Sequence, residues 1–162
     1  MKNTDDIDLF LTLHPHGWST CWIYVNREKF ELIISHVFGD PYLDFIIALS
    51  HLINKQNEVT FFWYSEPGGQ RIKIKRIKEH QHIINITVAG FHNYFEEEIK
   101  DLNKTVEFEI KEKAFLTISY LQLKKIHLLL KDKSYAKERG REFPFREFKQ
   151  FEIKVKEYLE LK

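Results

Sequence analysis

A single cysteine, Cys21, in a chain of 162 residues leaves no partner for an internal disulfide, and a disulfide-built scaffold is excluded. Glycine and proline are scarce, six and four, and nowhere dense enough to make a linker. The few glycines spell neither G-x-G-x-x-G nor G-x-x-x-x-G-K-S/T, so both backbone cradles for phosphate are missing. No serine stands in a G-x-S-x-G turn. No apolar run approaches the roughly 18 residues that a membrane helix needs. The opening MKNTDDIDLF carries acids where a secretory signal has a basic region followed by an apolar one. A cytoplasmic chain is the expectation. The net charge of +1 gives no overall field that would draw nucleic acid or an anionic membrane.

What is present is material for a core. Hydrophobic residues make up 43% of the chain and aromatics 15%, with 14 Phe, 7 Tyr and 3 Trp as large rigid anchors. That suffices for one domain over residues 1–162 and argues against disorder. Charge is uneven: residues 1–60 hold four Lys/Arg against eight Asp/Glu, whereas from residue 101 onward fifteen face eleven. Such a split predicts an acidic and a basic surface, unless folding interleaves them.

Ile7, Leu9, Leu11 and Leu13 alternate with Asp8 and Thr12, the pattern of a half-buried strand. HPHG at 14–17 punctuates it. WSTCWIYV, 18–25, is β-branched or aromatic on both faces and is expected to be a strand covered on two sides. NRE at 26–28 turns the chain into a third strand over 29–38, and such short connections predict an antiparallel meander. The period then changes. Asp40 suits an N-cap and Pro41 the first helical position. Tyr42, Phe45, Ile46, Leu49, Leu52 and Ile53 follow as an apolar helical stripe.

Strand character resumes over 58–65. EPGG at 66–69 predicts a type II turn with Gly68 at positive φ. The next strand, QRIKIKRIK, loses its alternation between Lys75 and Ile77, which predicts a bulge. Further strands are expected over 82–91 and 104–113, with HNYFEEEIKDLN between them as a short helix or loop. Helices are expected over 114–133 and 144–162. The resulting architecture is α+β: an antiparallel sheet of six to seven strands, one inserted helix, and two C-terminal helices packed on it.

Chemistry-bearing groups are few. His14 and His16, at i and i+2, invite a zinc site completed by Cys21 or His36. Pro15 interrupts the strand between them, however, and the third and fourth ligands are free choices, so they are read as turn residues. No metal or cofactor is expected. Cys21 lies in an aromatic strand, where an inert buried thiol is the ordinary state. The basic arm places Arg71, Lys73 and Lys75 on one strand face and Ile72 and Ile74 on the other, with Arg76 and Lys78 extending the cluster. Nucleic-acid binding would need an exposed aromatic beside these cations. Trp63 and Tyr64 lie across the turn at opposite phases, so one of them is expected at the surface. With a net charge near zero, the arm reads better as a rim or an edge. Aromatics in excess of the evident stripes favour a protein interface.

Four segments, LTLHPHGWSTCWIYV, DPYLDFIIALSHL, WYSEPGGQRIKI and REFPFREF, give a layout that resembles that of small bacterial proteins. It is similar in size and style to immunity proteins, which neutralise polymorphic or contact-dependent toxins. The resemblance spans nearly the whole chain without a diagnostic motif, so it transfers no site residues. It implies a cytoplasmic, non-catalytic antidote that binds one toxin domain tightly.

The functional expectation is a non-catalytic protein-binding module that occludes a toxin's active site. A nucleic-acid binder using residues 71–78 and a small enzyme are the alternatives. Asp5, Asp6 and Asp8 are the candidates for facing a basic partner, and Arg71, Lys73 and Lys75 for an acidic one, with Trp63 and Glu66 beside the turn. An enzyme would instead show titratable groups converging, with His14, His16 and Glu66 as candidates. No membrane partner is expected; a homodimer is compatible with the same composition.

Overall fold

Alternation decides the first three strands. In a computed structural model that describes residues 5–92 and 103–162, β1 (Ile7–Leu13), β2 (Trp18–Val25) and β3 (Glu28–Ser35) form an antiparallel sheet in chain order. The register aligns Leu9 with Ile23 and Phe30, and Leu11 with Cys21 and Leu32. Leu9, Leu11, Leu13, Cys21, Ile23, Leu32 and Ile34 are all buried on that inner face. Asn26 and Arg27 join β2 to β3 with φ of 50° and 70°, a two-residue turn whose twist matches the flanking strands. Coverage of β2 on both faces does not materialise: Trp22 is half-buried and Tyr24 exposed. Aromatic and β-branched composition encodes a strand, and it does not by itself bring a covering layer.

Helix α1 (Pro41–Ile53) begins as its sequence requires, with the Asp40 carboxylate accepting from the Leu43 N–H at 3.0 Å. It ends in a Schellman motif. The Lys55 N–H donates to the Leu52 carbonyl (3.0 Å) and the Gln56 N–H to that of His51 (3.1 Å), while Lys55 sits at φ 64°, where glycine is usual.

After α1 a second antiparallel sheet is laid down in chain order: β4 (Glu58–Tyr64), β5 (Gly69–Ile77), β6 (His80–Phe91) and β7 (Asn103–Lys111). The expected single sheet of six to seven strands is thus two sheets, of three and four strands. Hydrophobic alternation specifies strands and leaves their partners open. Here α1 separates β3 from β4, which pack together without sharing a ladder. The register shift falls between Arg76 and Ile77. Ser65–Gly68 connects β4 to β5 as a four-residue loop, closed by the Ser65 N–H on the Gly68 carbonyl (2.9 Å). The Glu66–Pro67 peptide is cis, and Gly68 does adopt positive φ, 84°. A Cβ on Gly68 would overlap the Phe91 carbonyl oxygen, so the close approach requires glycine.

Helix α2 (Glu112–Leu129) follows β7 directly, and α4 (Phe145–Leu159) closes the chain. The charged connection between them contains a one-turn helix, α3 (Lys133–Ala136), capped by Asp132, and a 3-10 turn over Gly140–Glu142. The helical layout therefore departs from the two continuous C-terminal helices expected. α1 packs on β4 and α4, while α2 packs on β1, α4 and the second sheet. Their apolar faces and both inner sheet faces merge into one core cluster, in which the Phe45 ring meets Phe61, Trp63 and Phe115. Among the described residues no helix is long and apolar enough to cross a membrane. Apart from its two ends, HNYFEEEIKDLN lies outside the described residues.

Candidate functional site

The basic arm is divided by its own period. Arg71, Lys73 and Lys75 lie on the outer face of the second sheet, opposite Phe62, Thr60 and Glu58 of β4. Lys73 pairs with Glu58 at 2.8 Å, Lys75 is exposed and Arg71 is half-buried. Arg76 continues the inward positions of Ile72 and Ile74 and is 8% exposed. Its guanidinium donates to the carbonyls of Leu52 (2.7 Å), Gln56 (3.1 Å) and Gln81 (3.2 Å) and to the Glu112 carboxylate. It thereby braces the C-terminal end of α1, where the helix dipole is negative, against β5 and β6. Glu112, only 2% exposed, also accepts from Lys55 Nζ (3.1 Å) and the Tyr158 hydroxyl. A buried arginine so thoroughly engaged is part of the frame, not a grip on a phosphate backbone.

Beside this pair opens a cleft of about 680 Å³, lined by Lys55, Arg76, Lys111, Glu112, Lys113 and Tyr158 among others. Lys111 also reaches Asp5, 2.8 Å away at the rim. The Lys55 and Lys113 ammonium groups lie over the same Tyr158 ring, 4.5 and 5.6 Å from its centroid.

His14 and His16, which a zinc site or an enzyme would bring together, make separate contacts. His14 Nε2 lies 3.0 Å from Thr20 Oγ1 and 3.2 Å from Thr12 Oγ1, whereas His16 is exposed beside Glu138 at 3.5 Å. Glu66 is exposed in the loop of the other sheet. Among the described residues no three His, Cys, Asp or Glu side chains gather as metal ligands. Cys21 is fully buried, and burial raises its thiol far above the range in which a thiolate forms. Another constellation forms only in the folded chain: Ser19 Oγ lies 2.9 Å from His36 Nε2, and Glu142 Oε2 lies 3.3 Å from His36 Nδ1. Those roles resemble a nucleophile, base and orienter. Ser19 is 1% exposed, however, and also contacts the buried Tyr42 hydroxyl at 3.0 Å. Burial lowers the His36 pKa to about 4, with Asp40 opposing. The group is a neutral internal cross-link closed to substrate.

The outer face of the first sheet differs from all of these. Its register sets Phe10 opposite Trp22 and Glu31, Asp8 opposite Tyr24 and Lys29, and Thr12 opposite Thr20 and Ile33. Phe10, Tyr24 and Ile33 are 44, 40 and 54% exposed, and the Phe10 and Trp22 rings lie 5.9 Å apart. The free edge of β1 is sealed by side chains. Gln122 accepts from the Leu11 N–H (3.2 Å), Lys125 donates to the Leu11 carbonyl (2.7 Å), and Arg139 and Tyr135 donate to that of Leu13. Another strand cannot add to that edge; the face stays open. Asp6 and Asp8 are exposed beside this face, near Glu28 and Glu31. Trp63, by contrast, is 3% exposed and donates from Nε1 to the Pro41 carbonyl at 3.1 Å, so it offers nothing to a partner. Trp22 is the tryptophan that sequence reasoning overlooked, and strand parity with Phe10 was the available signal.

Comparison of the chain with protein-family models, curated proteins and solved structures finds no match. Function has to be argued from the geometry.

Proposed function

We propose that this chain is a non-catalytic protein-binding module of the immunity type, which occludes the active cleft of a basic toxin domain with the outer face of its first sheet. The observation that carries the reading is the outer-face set of Phe10, Tyr24 and Ile33, exposed beside the half-buried Trp22 on an edge-sealed sheet. Aromatics of this kind supply most of the energy at protein interfaces, at low entropic cost. The acids beside them set the partner's sign. Asp8, Glu28 and Glu31 on these strands, with Asp6 just before β1, outnumber Arg27 and Lys29, and one cation from α2, Lys125, lies over the Phe10 ring. Such a rim speeds association with a basic surface, while the rings hold the complex once formed.

The test is capture by the tagged full chain from a nuclease-treated lysate of the cell that makes it. Wild type is compared with a Trp22→Ala/Tyr24→Ala double variant and with Lys75→Ala on the other sheet. One stoichiometric protein should be retained by wild type and by Lys75→Ala. Two lost anchors weaken binding by about 3–5 kcal/mol, enough to empty the resin. The captured protein should be toxic when expressed alone and harmless beside wild type. Capture that the double variant leaves intact, or recovery of nucleic acid alone from untreated lysate, contradicts the reading.

A further inference from the structure

We infer that the cleft at the end of the second sheet is a binding site for a small phosphate-type oxyanion. The site is separate from the outer face of the first sheet and does not depend on its role. It is assembled from distant parts of the chain: Lys55 follows α1, Arg76 ends β5, Lys111 and Lys113 flank the start of α2, and Tyr158 comes from α4. Its volume of about 680 Å³ falls within the roughly 300–1,000 Å³ of small-molecule sites.

Charge selects the ligand class. Four Lys or Arg side chains line the cleft with one carboxylate, Glu112. That carboxylate is buried and occupied by Arg76, Lys55 and the Tyr158 hydroxyl. Of the remaining cations Lys111 is paired with Asp5 at the rim, which leaves Lys113. Lys113 has no carboxylate partner among the described residues, and it shares the Tyr158 ring with Lys55. Two ammonium groups close to one ring raise the local positive potential, which a bound multivalent anion would offset. The positive pole of α2 lies at the same place, with lysines at 111 and 113 where acids are usual. Phosphate offers two charges and several acceptor oxygens, which suits several lysines better than a single carboxylate does. Arg76 and Glu112 are the frame of the site; Lys55 and Lys113 are the groups that would touch the ligand.

Titration calorimetry at low salt with inorganic pyrophosphate tests this on the full chain. Wild type, Lys113→Ala, Lys55→Gly and the control Lys75→Ala are compared. Glycine suits the Lys55 position because the backbone there is already left-handed, at φ 64°, so the fold is kept while the ammonium is removed. Saturable one-to-one binding is expected for wild type and for Lys75→Ala, with each cleft variant weaker by about tenfold or more. A thermal shift with pyrophosphate should follow the same order. The inference is overturned if wild type shows no saturable binding at concentrations up to about 10 mM. It is equally overturned if both cleft variants bind like wild type.

Discussion

On the outer face of the second sheet, Thr60, Lys73, Thr87 and Glu107 stand in one cross-strand row. Lys73 is paired with Glu58, and Asn85 donates to Glu107. On the outer face of the first sheet the corresponding row holds Phe10 and Trp22, with Tyr24 and Ile33 beside it. The inner faces of both sheets are mostly apolar, Leu11, Cys21 and Leu32 in one and Ile74, Ile86 and Phe108 in the other, with Ser19 and Arg76 as buried exceptions. Folding explains the inner faces, since each apolar area removed from water contributes about 25 cal/mol per Å². It does not explain rings left in water, where polar residues would serve the fold as well. The second sheet pairs part of its outer charge internally, Lys73 with Glu58 and Lys104 with Glu107; the first leaves Phe10, Tyr24 and Ile33 exposed.

The contrast is sharpest where the second sheet breaks its own inner pattern. Arg76 is the charged member of an aliphatic row and stays buried because Glu112 neutralises it. Glu112→Ala should cost about 3–5 kcal/mol in urea unfolding, because it strands a buried guanidinium. The double replacement Arg76→Met/Glu112→Leu should recover most of that loss, making the second sheet's inner face as apolar as the first's.

The next effect in size belongs to His36, behind the first sheet. The unfolded chain takes up its proton near pH 6.5, whereas the folded one resists until about pH 4 because the ring is buried. Stability from this group is therefore complete above pH 6.5 and declines as the pH falls toward 4, by up to about 3 kcal/mol. Unfolding midpoints for His36→Gln should be flatter than wild type across that window.

Smaller again is the β2–β3 turn. Arg27 occupies a left-handed position at φ 70°, and Arg27→Gly should shift stability upward by no more than about 1 kcal/mol in thermal unfolding. Least affected should be charge removal on the second sheet's outer face. Lys75→Ala should move stability by less than about 0.5 kcal/mol.

Much of this was legible because it is local. The alternation of Ile7 to Leu13, the Asp40–Pro41 helix start and the slip near Lys75 each follow from a few neighbouring residues. Pairing was not legible. The same seven strand patterns fit one sheet or two, and only packing around α1, α2 and α4 decides between them. Side-chain orientation was only partly legible, for a related reason. Of Trp63 and Tyr64, parity with the buried Phe61 and Val59 marks Trp63 as the inward one. Arg76 was counted with the outward cations although it shares parity with Ile72 and Ile74. The cleft could not be read at all, since Lys55, Lys113 and Tyr158 meet only in the folded chain.

The central claim, that the first sheet's outer rings serve a partner and not the fold, is tested most directly by measuring two quantities on one protein. The Trp22→Ala/Tyr24→Ala variant is unfolded in urea, and its affinity for the captured partner is measured beside wild type. The account predicts a loss of stability below about 2 kcal/mol for the pair together with an affinity loss of about 100-fold or more. A variant that is much less stable yet binds as tightly as wild type would contradict it.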